Sequence, residues 1–139
     1  MEWNESLETG NLVVDNEHKE LFKLVKQMLD AGMSGELTSA KRTEKVESAI
    51  NFLGDYAKRH FAHEERLMDE SSYPGKSVHK AQHEGFMPVF AGLKEKLLSE
   101  GSSLNVAIDV NRALVNWLTK HIMSTDKEFA DYYKATLNA

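Results

Sequence analysis

The chain has 139 residues, a formal net charge of −5 and no cysteine. That length suits one domain with a real core, and without a basic block nucleic acid is excluded as the expected partner. The missing cysteines exclude disulfides, zinc–thiolate sites and iron–sulfur clusters, and they fit a reducing compartment.

Residues 1–14 contain Gly10 and no helical period, so an extended arm is expected, with Trp3 packed against the core. Asp15 reads as a helix N-cap, because Leu21, Phe22, Leu24, Val25, Met28 and Leu29 beyond it form one apolar face. His18 lies on that face and, alone, would be an ordinary core or capping histidine. Gly32 and Gly35 close this first helix. A long second helix is predicted from Thr38 or Ser39 to about Asp69. It turns Val46, Ala49, Ile50, Leu53, Tyr56, Ala57 and Leu67 inward and Lys41, Arg42, Glu44, Lys45, Glu47 and Lys58 outward.

After a Tyr73-Pro74-Gly75 break, a third helix starts near Lys76 and ends before Gly101, with Phe86, Phe90, Leu93 and Leu97 inside. Pro88 cannot donate to the carbonyl of Glu84, so a kink is expected there. Ser102 or Ser103 can cap a fourth helix whose inner face includes Leu104, Ala107, Leu114, Leu118 and His121. Thr125 with Glu128 matches a capping box for a short last helix. No strand alternation, repeat or low-complexity linker interrupts this pattern. The expected fold is all-α: one domain over residues 1–139, an antiparallel up-down four-helix bundle with an extended N-terminal arm and a short C-terminal helix.

Two ligand pairs stand out at helical spacing, His60 with Glu64 and His79 with His83. Positions i and i+4 share one face of a helix, and here both faces are the buried ones. A buried carboxylate without a partner is very costly, and buried histidines need hydrogen bonds or a metal. His18 and His121 lie on the other two inner faces, so five of the six histidines point inward. Only His63 falls outside the scheme, about 60° round the helix from His60 by the α-helical repeat, and is expected to be exposed. Asp126 is a seventh candidate with an awkward spacing: five residues from His121 is about 140° round an ideal helix. A break or bulge between them would return Asp126 to the site.

The pattern H…HxxxE…HxxxH…HxxxxD, with D-x-x-H in the first helix, resembles the hemerythrin family over essentially the whole chain. Length and the early Trp3 are similar to its bacterial single-domain members. The resemblance implies that His79, His83 and His121 ligate one iron, that His18 and His60 ligate the other, and that Glu64 and Asp126 bridge them. It also implies a non-haem di-iron centre, with a bridging oxo or hydroxo group, that binds O2 reversibly.

Coordination arithmetic agrees with a binder. Two octahedral irons offer about twelve positions, of which the imidazoles, two bridging carboxylates and a bridging hydroxide fill about eleven. Oxygen-activating di-iron bundles use E-x-x-H pairs and four carboxylates, which this site lacks, so no enzymatic activity is expected. A dizinc hydrolase would need a spare inward base, and a purely structural metal is the plainest alternative. Near the ligands stand Phe22, Phe61, Phe86, Trp117 and Leu118, core residues that can also form a dry wall. Leu118 matches a family pocket position and is expected nearest the open coordination site.

The expected role is oxygen carriage or storage; the alternative is an O2, NO or redox sensor domain cut from a longer signalling protein. No apolar run approaches the ~20 residues of a membrane span, and the first residues lack a signal peptide's basic start and apolar core. A cytoplasmic protein without membrane insertion is expected. With no obvious exposed apolar stripe, a monomer is expected.

Overall fold

The computed structural model describes residues 3–35, 38–99 and 104–137. Helices α1 (Leu12–Met33), α2 (Ser39–Glu70), α3 (Lys76–Ser99) and α4 (Leu104–His121) form the bundle, and α5 (Lys127–Leu137) follows. α1 packs beside α2 and α4, and α3 completes the ring by packing against the same two helices. Each helix therefore offers one face to a common interior, as the apolar periods require. No described helix is long and apolar enough to cross a membrane.

The arm is not wholly extended. Glu5–Leu7 form a 3-10 turn, and Leu7 is fully buried in the core. Trp3 packs against that core as expected, with the Lys19 ammonium 4.5 Å from its ring centre. α1 begins earlier than the apolar pattern suggested. Its N-cap is Asn11, whose Oδ1 accepts from the amides of Val13 and Val14. Asp15 lies inside the helix instead and reaches back to the arm. Its carboxylate accepts from Thr9 N at 2.9 Å, Thr9 Oγ1 at 2.7 Å and Gly10 N at 3.3 Å.

α2 starts at Ser39, within the expected bounds, and Thr38 is its N-cap, accepting from Lys41 N. α3 runs through Pro88 to Ser99. Ser102 and Ser103, the proposed caps of α4, lie outside the described residues, as does the side chain of Leu104. Two close helix approaches depend on missing side chains. A Cβ on Gly32 would meet Ala107 Cβ at 2.7 Å, and one on Gly54 would meet the Phe90 ring at 2.8 Å. Gly32 thus serves α1–α4 packing rather than simply ending α1.

The last two segments lock the site end of the bundle. A single π-helical segment, Ile122–Asp126, joins α4 to α5. Thr125 does not complete a capping box; its hydroxyl donates to Gln82 Oε1 at 2.7 Å. α5 then covers the α2–α3 turn, where Tyr132 donates to the carbonyls of Ser71 and Ser72, and Tyr73 packs on Phe129.

Candidate metal centre

Seven polar side chains meet inside the bundle: His18 from α1, His60 and Glu64 from α2, His79 and His83 from α3, His121 from α4, and Asp126 from the π segment. None is more than 5% exposed. The π segment makes the last member fit. Its i→i+5 bonding absorbs one extra residue, so Asp126 turns inward with His121 despite the five-residue spacing. Asp126 Oδ1 lies 3.0 Å from His121 Nε2 and 2.9 Å from His79 Nε2, while Oδ2 lies 3.0 Å from His18 Nε2. Across the site, Glu64 Oε1 is 2.6 Å from His60 Nε2, 3.9 Å from His83 Nε2 and 4.0 Å from His18 Nε2, and Oε2 is 3.6 Å from His79 Nε2.

These atoms divide into two groups. Glu64, His79, His83, His121 and Asp126 form one; His18, His60, Glu64 and Asp126 form the other. Within each group the ligand atoms lie within 4.8 Å of one another. An imidazole nitrogen binds a transition metal at about 2 Å, so ligands on opposite sides of one ion are about 4 Å apart. Each group therefore has the span of a single-ion site, and both carboxylates belong to both groups. The Nε2 atoms of His18, His79, His83 and His121 and all four oxygens of Glu64 and Asp126 are buried without a hydrogen bond. So many orphaned acceptors in one place would be very costly in a purely structural core. Two cations with nitrogen- and oxygen-accepting shells fit this donor set.

Three outward nitrogens lie beside polar side chains that the sequence pattern did not single out, whereas those of His18 and His79 have no hydrogen-bond partner among the described residues. His83 Nδ1 lies 3.0 Å from Glu65 Oε2, and His121 Nδ1 lies 2.9 Å from Gln82 Oε1. His60 Nδ1 lies 3.3 Å from Glu17 Oε1, which also takes a 2.8 Å hydrogen bond from His63 Nδ1. His63 is therefore half-buried and tied to the site, not a free surface residue. Glu17, Glu65 and Gln82 each neighbour a candidate ligand in sequence. That adjacency at the rim of an inner face was the only signal available.

Electrostatics follow from burial and crowding. Burial pushes the Glu64 carboxyl up, and nearby Asp126 pushes it further, against the opposing effect of His60. Burial would raise Asp126 too, but His121, His18 and His79 hold it well below its ordinary value. Burial would lower His60, yet Glu64 and Glu17 outweigh that and raise it to about 10. His83 falls to about 2, through burial and then the neighbouring His121 and His79. A cation at the His60 group must therefore displace a proton, whereas His83 already offers a neutral imidazole.

The expected wall residues are placed unevenly. Phe22, Phe61, Phe86 and Leu118 belong to the buried core, whereas Trp117 is partly exposed. Phe61 stacks on His83 with ring centres 4.1 Å apart, and Trp117 stacks on His121 at 4.6 Å. These two aromatics thus cover the three-histidine group.

Residues 9–133 match the family model of the hemerythrin HHE cation binding domain. The chain belongs to the hemerythrin family. It is 32% identical over 136 residues to a bacteriohemerythrin of Stenotrophomonas maltophilia, covering 98% of this chain and 83% of that protein. It is 28% identical over 128 residues to a myohemerythrin of Theromyzon tessulatum, covering 92% and 89% of the two chains. A crystal structure of wild-type hemerythrin superposes with a TM-score of 0.79 at 26% identity, over 96% of this chain and 97% of that one. Membership gives the four-helix bundle a hemerythrin frame, with the histidine-rich cluster at its interior.

Proposed function

We propose that this hemerythrin-family chain binds O2 reversibly at a non-haem di-iron centre and serves as an oxygen carrier or store. His79, His83 and His121 would hold one iron, His18 and His60 the other, with Glu64 and Asp126 shared. The observation that carries the reading is the division into two buried groups, one with three histidines and one with two, sharing both carboxylates. The group with fewer histidines is where a coordination position stays open. When bound, the iron pair supplies the two electrons and the open position that O2 requires.

The chain's own residues do the rest. The five imidazoles bring no charge, and two carboxylates partly neutralise the cations. Leu118, buried one turn before His121, is the wall proposed over the open position. Phe61 and Trp117 shield the other iron's histidines from water. No further buried carboxylate stands in the cluster among the described residues to serve as a proton donor, which favours binding over chemistry.

The test is oxygen cycling. Iron-loaded protein should carry one iron in each group, take up O2 when reduced, and release it under vacuum over repeated cycles without consuming reductant. Steady O2 consumption with oxidation of an added substrate would replace the reading by an oxidase. A single tightly held zinc with no iron uptake would end it.

A further inference from the structure

We infer that His63 is a positioning residue: it sets how firmly Glu17 holds His60, and through His60 the electron density at the iron of the two-histidine group. The inference rests on the di-iron reading above but uses side chains that no part of that reading needs. Glu17 Oε1 is shared by two imidazoles. His63 Nδ1 donates to it at 2.8 Å, while His60 Nδ1 lies 3.3 Å away. The first distance is a full hydrogen bond; the second lies just beyond the usual N–H···O range of about 2.7–3.2 Å. His63 therefore has the stronger claim on the oxygen.

In the three-histidine group His83 has no such competitor, although Gln82 Oε1 is shared there between His121 Nδ1 at 2.9 Å and the Thr125 hydroxyl at 2.7 Å. There Glu65 Oε2 lies 3.0 Å from His83 Nδ1, and no second imidazole among the described residues contacts it. A carboxylate on the outer nitrogen of a ligating histidine fixes the ring and makes the inner nitrogen a stronger donor. Glu65 gives this help in full, whereas Glu17 gives His60 only a share. The iron proposed to carry the open position is thus kept less electron-rich than Glu17 alone would make it. His63 stands one turn after His60 on α2 and Glu17 stands on α1, and both side chains are 22% exposed. Removing His63 therefore frees the Glu17 carboxylate without opening the core.

The experiment uses the full chain and its H63A, E17Q and E17Q/H63A variants, each loaded with iron and, separately, with cobalt(II). Metal content is measured first. The readouts are the reduction potential of the iron pair and the paramagnetically shifted Nδ1–H resonance of His60 in the cobalt protein. In H63A the potential should fall, O2 release should slow, and the His60 Nδ1–H signal should move in the direction of a stronger hydrogen bond. In E17Q both readouts should move the opposite way, and metal affinity should weaken by roughly 10–100-fold, as for other supports of ligating histidines. The double variant should match E17Q, because His63 acts only through Glu17. Parent values in H63A, or a His63 effect that persists in the E17Q background, would overturn the inference while leaving the di-iron reading intact. A parent chain that loads neither metal would overturn both.

Discussion

Leu118 shows what one apolar side chain can contribute beside a polar cluster. It is 4% exposed and lies in the same core as Phe22, Phe61 and Phe86. If it walls the open position, a smaller polar residue should admit water without touching a ligand. L118S should therefore keep its iron content while its oxidation in air accelerates. The effect belongs to the rate, because shielding alters solvent access and leaves the donor set alone. Optical traces of the two proteins check this, and equal rates would remove Leu118 from the pocket. At this scale the sequence was unevenly legible. All seven cluster members could be named: two pairs stand at helical spacing, His18 and His121 fall on apolar faces where such groups are rare, and the hemerythrin-like pattern supported Asp126 despite its five-residue spacing. Glu17, Glu65 and Gln82 give no such signal. A polar residue at the rim of a helix looks the same whether it faces water or a histidine's outer nitrogen. His63 was misread for that reason, since its partner sits on another helix.

Among the elements, helix positions were legible from apolar period, and their ends less so. Asn11 caps α1, yet Leu12 and Val13 just after it are 73% and 57% exposed. Two apolar residues on the outer face hide the first turn from any pattern argument, so Asp15 looked like the start. The π segment was legible in outline, because five-residue spacing cannot place His121 and Asp126 on one regular face. A π turn amounts to one residue added to an α-helix. Deleting Met123, which is 50% exposed, should therefore let residues 121–127 close as regular α-helix with His121 and Asp126 four positions apart. That is the spacing already used by His60 and Glu64. We expect the deletion to retain metal in both groups, whereas an alanine inserted beside Met123 should rotate Asp126 away and lower metal content. Metal analysis with circular dichroism distinguishes the outcomes. Loss of metal in the deletion alone would mean that the wider π turn itself is needed.

For the whole molecule, metal binding and folding are one equilibrium, because these ligands converge only in the folded bundle. The metal-free protein should show two opposed pH dependences. His83 has a folded value near 2, against about 6.5 in an unfolded chain, so its contribution is present above 6.5 and lost as pH falls toward 2. His60 has a folded value near 10, so its contribution is present below 6.5 and lost as pH rises through 10. Glu64, pushed up by burial and by Asp126, acts in the same direction as His60. The loaded protein lacks this alkaline loss, because a ligating His60 is already deprotonated. Each proton displaced by metal makes binding about tenfold stronger per pH unit, about 1.4 kcal/mol, until that group's own folded value is reached. The gap in Tm between loaded and chelated protein should therefore widen between pH 6.5 and 9, at a fixed excess of zinc or iron(II). Thermal unfolding at several pH values in that window measures it directly. A constant gap would show that His60 carries no extra proton in the metal-free fold. The charge balance drawn for the two-histidine group would then be wrong, even if both metals bind.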